Sequence, residues 1–314
     1  MLGHLARRAA QIPPLLLAVS VVIFGMLRFS PGDPAEIILS QSGGYAADRE
    51  TVSMLHREWG LDVSLPVQCG RWLYKLATLD LGRSFATSRP VSQLIAERLP
   101  ATLLLAGAAL FSALAVALPL GVLAAFRAGG LLDGLCRVLA LIGVSLPGFW
   151  MALLLVWTFS VRLGWLPAVG GGTWRHAVLP VVALATSVAA TQVRLVRASV
   201  LDVLSQPYLD TARGKGLTER LVLTRHVLRN ALLPPVTALG LSAGGLLGGA
   251  AVVETVFAYP GMGKLVVDSI GSRDYPVIQA FVLLLTLVYV GISLLVDLIC
   301  GALDPRVRLA VVAR

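Results

Sequence analysis

The sequence predicts an all-α polytopic membrane protein with six transmembrane helices, on three observations. Of 314 residues 57% are hydrophobic and only 14% charged, and the mean hydropathy is +0.82, far above that of a soluble domain of this length. The apolar residues gather into six blocks free of formal charge, at residues 9–27, 99–126, 138–161, 177–193, 231–253 and 275–296. About 20 such residues cross the hydrocarbon core as a helix. The charge, finally, alternates between loops, so the net charge of +9 needs no nucleic-acid partner.

Arg7 and Arg8 precede the first block, the loop from 194 to 229 holds seven Arg/Lys against Asp202, Asp210 and Glu219, and the tail holds Arg306, Arg308 and Arg314. In the alternate regions, 28–98 balances eight bases with eight acids, and 254–274 sets three acids against Lys264 and Arg273. The positive-inside rule then makes both termini and the second and fourth loops cytoplasmic. Six spans with both ends inside are self-consistent. The predicted domains are a cytoplasmic N-terminus (1–8), a first span (9–28), a periplasmic subdomain (29–98), a five-helix core (99–305) with a cytoplasmic loop at 194–233, and a cytoplasmic tail (306–314).

The N-terminal run resembles a signal peptide, but SPGDP follows it instead of a small-residue cleavage site, so it is read as a retained span. Its prolines, Pro31 and Pro34, stop the helix by removing donors. The subdomain beyond offers Trp59, Leu61, Val67, Trp72, Leu73, Leu76, Leu79 and Phe85 as a modest core. Cys69, Cys136 and Cys300 place no pair on one outer face, and no disulfide is predicted.

The second span carries Pro119 and Gly121 near its inner end, and the third carries Pro147-Gly148 inside it. Such breakers permit bending where neighbouring helices satisfy the freed backbone. The fourth block is the shortest. Ser187, Thr191 and Arg194 fall on one face at i, i+4 and i+7, which directs that face to protein or a water-filled path rather than lipid. Ser187 and Thr191, with Glu254 after the fifth block, are the translocation-path candidates. Gly240, Gly244 and Gly248 recur every fourth position and predict a close helix interface, in this chain or with a second subunit. Asp297 directly follows the sixth block and is carried by the same helix, a few turns from its inner edge.

The loop DTARGKGLTERLVLTRHVLRNALLPP at 210–235 organises the rest. Gly214-Lys215-Gly216 breaks it, leaving a short helix at 208–213. Thr218 followed by Glu219 starts a second helix, the hydroxyl capping free amides and the acid complementing the dipole. Leu221, Leu228 and Leu232 supply an apolar face, and Arg225 and Arg229 a cationic one. So much polar chain between apolar runs predicts a docking site for a soluble partner.

At these residues the chain resembles the inner-membrane permeases of bacterial ATP-binding-cassette importers, in the peptide, opine and nickel group. Their cytoplasmic signature is an acid, an alanine pair, a glycine and a distant proline. Here Asp210, Ala212, Gly216 and Pro234 match, with Thr211 in place of the first alanine and Asp in place of Glu. PGDPA at 31–35, RLPATL at 98–103, ETVFAYPGMGKL at 254–265, RDYPVIQ at 273–279 and LDPRVR at 303–308 extend the likeness over nearly the whole chain. The resemblance implies the type I importer permease fold. It also implies a second permease subunit, two ATPase subunits docked on the loop, and a periplasmic binding protein delivering cargo. Asp210, Thr211, Ala212 and Gly216 would then belong to the ATPase-coupling contact, with Arg225 and Arg229 on its cationic face. No catalytic residue, metal site or cofactor is expected in this chain, since ATP and Mg²⁺ would be held by the partners.

Within the group, DLGRSFATSRPV at 80–91, PATLLLAGAAL at 100–110, GVSLPGFW at 143–150 and WLPAVGGGTWRHAVLP at 165–180 are most similar to nickel permeases. Nickel is therefore the leading cargo expectation, with a dipeptide or oligopeptide as the alternative. His4, His56, His176 and His226 are scattered and form no ligand cluster in sequence. An enzyme is disfavoured: Gly261, Gly263 and Lys264 lack the first glycine of a phosphate loop, where Ala258 stands, and Leu265 replaces its Ser/Thr. Ser112, Ser160, Ser187 and Ser242 have no intramembrane histidine to activate them. A stand-alone channel or secondary carrier would place coupling acids or a filter at mid-membrane, and Asp297, on the last span, is the single acid clearly within a span.

Overall fold

The computed structural model describes residues 2–41 and 49–303, and they are helical almost throughout. In chain order the helices are α1 (Leu2–Arg28), α2 (Pro34–Gln41), α3 (Arg49–Trp59), α4 (Leu65–Ala77), α5 (Val91–Phe126), α6 (Leu131–Ser145), α7 (Gly148–Leu155), α8 (Trp174–Leu204), α9 (Tyr208–Gly214), α10 (Glu219–Leu221), α11 (Arg229–Ala231), α12 (Leu233–Val256), α13 (Met262–Gly271) and α14 (Tyr275–Leu303). Wider π-helical turns at Val156–Arg162 and Val222–Leu228 continue α7 and join α10 to α11.

Five helices are long and apolar enough to cross a membrane: α1 from Ala10, α5, α8, α12 and α14 as far as Cys300. α6 and α7 with its π extension satisfy the same test together, but they meet at 103°. The third predicted span is thus sharply broken. Its cause is local: Pro147 disfavours the helical region for the residue before it, and Leu146 lies at φ −80, ψ 123. Two other spans are longer than predicted. α5 begins at Val91 and runs through Pro119 and Gly121 without a break. α8, expected to be the shortest, has 31 residues. Its last turns carry Arg194 and Arg197, which charge counting assigns to a loop although they continue the helix. The polar loop therefore begins near Ser205.

The chain forms two compact units. One comprises Leu103–Tyr259 with the described residues 2–5 and 289–303. Within it α8 is central, packing on α6, α7, α11 and α12. Glycines allow the closest approaches: a Cβ at Gly121 would stand 2.7 Å from Val196, and one at Gly143 2.8 Å from Ala190. The predicted glycine interface of α12 is formed with this chain's own last helix. A Cβ at Gly240 would stand 2.3 Å from Val296, and one at Gly244 2.4 Å from Tyr289, whereas Gly248 has open space.

The other unit comprises Ala6–Thr102 and Pro260–Val288. α4 turns Trp72 inward, and it packs with Phe24, Leu283, Leu73 and Leu76. Val91 and Leu94 pack with Val277 and Ala280. Trp59 stacks on Phe85 with centroids 4.2 Å apart. Two expected core residues lie outside: Val67 is exposed, one position off the buried Gln68 and Trp72 stripe, and Leu79, 86% exposed, sits in a left-handed turn (φ 58) after α4. Asp274, nearly buried, fastens the loop before α5. Its carboxylate accepts from the Ser84 hydroxyl (2.5 Å) and the Phe85 amide (2.9 Å). Burial pushes the Asp274 pKa up, against those donors. Arg273 donates to the Ser30 hydroxyl and the Pro31 carbonyl, holding the turn that follows α1. Asp304 to Arg306 and the rest of the predicted tail lie outside the described residues.

Candidate coupling surface and translocation path

Pro207, with φ −60, is the N-cap of α9. Its ring fixes a helical φ and gives up only an amide that a helix start leaves unbonded. Three residues apart on α9, Leu209 and Ala212 turn inward against Val196 and Val200 of α8, Ala125 of α5, and Val222, Val227 and Ala231. Full burial of a leucine contributes about 1.5–3 kcal/mol, so α9 is seated in this cluster, against the π turn Val222–Leu228 that also packs on α8. Asp210 and Thr211 face outward, the Asp210 side chain 83% exposed. Ala212 belongs to the seat, not to the outer surface.

α9 ends at Gly214, and two residues on the chain turns at Gly216, whose φ is +77. A Cβ there would meet nothing within 4 Å, so the glycine is required by backbone conformation alone. Arg213 bridges the break, reaching Asp210 at 3.4 Å and Glu219 at 3.1 Å. Hydrogen bonding to Glu219 raises the Arg213 pKa, and the same bond lowers that of Glu219. A depressed carboxylate lends stability that is present above its ordinary value and lost as pH falls through the lowered one. The bridge is therefore intact at neutral pH.

The helix after Gly216 starts at Thr218 as predicted, but by a different contact. The Thr218 hydroxyl makes no cap, and its carbonyl accepts the Leu221 and Val222 amides. The predicted apolar face also shifts. Val222, Val227 and Ala231 are buried, while Leu221 is exposed. Steps of five and four residues follow from the π turn, in which hydrogen bonds span five residues. Arg225 and Arg229 are exposed, as the cationic face requires. Asn230 donates to the Tyr208 hydroxyl at 2.9 Å and fixes the start of α9.

Ser187 and Thr191 of α8 line a cavity of about 450 Å³, with Ser242, Gly245 and Gly249 of α12 and Phe149 of α7 opposite. The wall combines these small residues and hydroxyls with apolar side chains, Leu184, Val188, Leu246 and Val252 among them. Glu254 does not line it; its side chain is fully buried near the end of α12. One residue from Thr191, Gln192 is completely buried, and neither atom of its amide has a hydrogen-bond partner. The sequence analysis missed it. The available signal was a second polar residue beside Thr191, on the neighbouring face of the same apolar block. Among the described residues no three His, Cys, Asp or Glu are grouped to hold a metal ion. His176 bonds instead to the Thr173 hydroxyl at 2.7 Å.

A helical permease core with a short helix seated beneath it is the arrangement of an importer's membrane subunit, and comparison with known proteins assigns the family. Residues 117–309 match the binding-protein-dependent transport system inner membrane component, and residues 1–106 match the N-terminal part of such components. The chain is 44% identical over 308 residues to the glutathione transport system permease protein GsiC of Pectobacterium atrosepticum, covering 98% of this chain and 99% of that protein. It is 41% identical over the same length to GsiC of Escherichia coli K12. The chain belongs to the family of inner-membrane permeases of binding-protein-dependent ABC importers. In fold it is similar to an inward-facing structure of the MetNI methionine ABC transporter, with a TM-score of 0.57 at 22% identity over 68% of this chain and 97% of that one. A crystal structure of an amino acid ABC transporter with histidines gives 0.51 at 17% identity, over 67% and 94%.

Proposed function

We propose that the chain is one of two permease subunits of an ATP-driven importer of short peptides, glutathione among them. The observation that carries the cargo is full-length similarity to glutathione permeases. It favours the peptide alternative over nickel, the leading expectation from local stretches of sequence. Stretches such as GVSLPGFW lie at helix breaks and loop turns, so they report on the shared fold more than on cargo.

In this reading both termini are cytoplasmic, residues 29–98 are periplasmic, and a binding protein releases cargo to that side. Two ATPase subunits bind ATP and Mg²⁺ and hydrolyse the nucleotide, and this chain does no chemistry. One ATPase docks on Asp210, Thr211, Arg225 and Arg229. The seat of α9 on Val196 and Val200 supports a transmission route, since movement of the docked helix pushes α8. The α8 face at Ser187 and Thr191 would then shift between outward and inward access. Hydroxyls and small residues suit a path that must release its cargo.

The test is uptake by cells deleted for this gene and by the same cells complemented, with labelled glutathione, a labelled dipeptide and labelled nickel run in parallel. Loss and recovery of peptide uptake, with nickel unchanged, is the expected result. Loss and recovery of nickel alone overturns the cargo assignment.

A further inference from the structure

The unit formed by Ala6–Thr102 and Pro260–Val288 contains a cavity of about 970 Å³. Ligand pockets commonly measure about 300–1,000 Å³. Its wall is cationic: Arg28, Arg57, Arg71, Lys75 and Arg83 face it against Glu58 and Asp80. Among the described residues, Arg57, Arg71 and Lys75 make no ion pair.

Three residues that line it each carry a buried polar atom with no hydrogen-bond partner: Arg28 Nε, Trp72 Nε1 and Gln68 Oε1. Gln68 is 7% exposed and Trp72 9%. Each such atom costs about 1–3 kcal/mol when left unmet, so three around one cavity point to a missing partner. Their orientations are set by other contacts. The Gln68 amide donates to the carbonyls of Leu61 (3.1 Å) and Val63 (2.7 Å), which leaves its oxygen as the unused group. The Arg28 guanidinium lies over the rings of Phe24 and Tyr275, at 5.4 and 5.0 Å from their centroids.

Two unmet donors call for acceptor oxygens, one unmet acceptor calls for an N–H, and the surplus positive charge calls for an anion. A peptide's carboxyl end supplies all three. We infer that this cavity binds short peptides by the terminal carboxylate, with Arg28 and Trp72 donating to its oxygens, Gln68 accepting from a peptide N–H, and Arg71 and Lys75 supplying attraction. The inference rests on the peptide cargo proposed above, and gives the permease a peptide site in addition to the path along α8.

The test uses the full chain, purified with its partner subunits in lipid nanodiscs, and radiolabelled trialanine with its C-terminal amide as probes in equilibrium dialysis. Trialanine is expected to bind and the amide to bind about tenfold more weakly, a factor worth about 1.4 kcal/mol. Arg71→Gln with Lys75→Gln, both on exposed positions of α4, is expected to weaken trialanine about tenfold. Trp72→Phe, which keeps the ring and removes the N–H, is expected to weaken it too. Lys264→Gln, in the same unit but off the cavity, is expected to leave binding unchanged. Equal binding of trialanine and its amide, or wild-type binding by the Arg71/Lys75 variant, overturns the inference. Trialanine binding by a complex that imports no peptide would leave the site standing and remove the proposed cargo. Peptide import with trialanine binding insensitive to these variants would do the reverse.

Discussion

Arg197 donates from both Nε and Nη2 to the carboxylate of Asp133, at 2.5 and 2.8 Å, and so locks the start of α6 to the C-terminal part of α8. Asp133 is fully buried and also accepts the Gly129 amide at 3.0 Å. Removing Arg197 leaves buried Asp133 with only the Gly129 amide and the looser Arg137 contact at 3.8 Å, and breaking a buried pair costs about 3–5 kcal/mol. Arg197→Met is therefore expected to lower the thermal stability of the purified complex sharply. Replacing both, Asp133→Leu with Arg197→Met, should restore most of it. A double variant as unstable as the single one would contradict this account of the pair.

Gly216 belongs to the proposed coupling contact. A non-glycine residue at φ +77 carries a left-handed strain of about 1–2 kcal/mol, and nothing crowds the site. Gly216→Asp is expected to leave the protein inserted and assembled while ATP hydrolysis continues without uptake. Wild-type uptake by that variant would remove Gly216 from the coupling machinery.

The α12 glycines separate into two kinds. Gly244→Leu must displace Tyr289 and is expected to abolish accumulation of folded protein. At Gly245, where a Cβ has open space, Gly245→Ala is expected to keep normal levels and change only transport, because that residue lines the cavity beside Ser187. Membrane levels by immunoblot, read beside uptake, decide between these outcomes.

Asp274 is expected to matter for the structure of its own unit. Asp274→Ala leaves the Ser84 hydroxyl and the Phe85 amide without their acceptor, a loss of about 1–3 kcal/mol per unmet group. The expected result is faster proteolysis at 84–90 with helix content unchanged by circular dichroism. Unaltered proteolysis would show that the loop before α5 is held by other contacts.

Much of this was legible before the structure. Six charge-free blocks located five spans and the broken third one, because nothing except length and charge is needed to identify a hydrocarbon crossing. The glycine interface and the short helix at 208–213 were also readable from spacing. Four features were not. Charge counting ended α8 at 193, since it cannot see that Arg197 is satisfied by a distant Asp133. A period of 3.6 chose Leu221, Leu228 and Leu232 over the Val222, Val227 and Ala231 stripe, since nothing in composition announces a π turn. Pro147 signalled a bend but not its 103°. The path candidates divided: Ser187 and Thr191 line one cavity, while Glu254, chosen beside a motif, is buried away from it.

Gln192 follows from the same reasoning. An amide buried with both atoms unmet weakens packing, and an apolar isostere can be neutral or stabilising. Gln192→Leu is expected to raise the melting temperature of the complex while slowing uptake. A lower melting temperature would mean that the amide is satisfied within the assembled complex.

The most direct measurement is ATP-dependent accumulation of radiolabelled glutathione in proteoliposomes holding this chain with its sister permease, ATPase subunits and binding protein, alongside ATPase activity. The account predicts accumulation by the wild type, and continued hydrolysis without accumulation when Asp210→Ala is combined with Arg213→Ala on α9. Undiminished accumulation by that variant, or no accumulation by the wild type under any ATP supply, would contradict it.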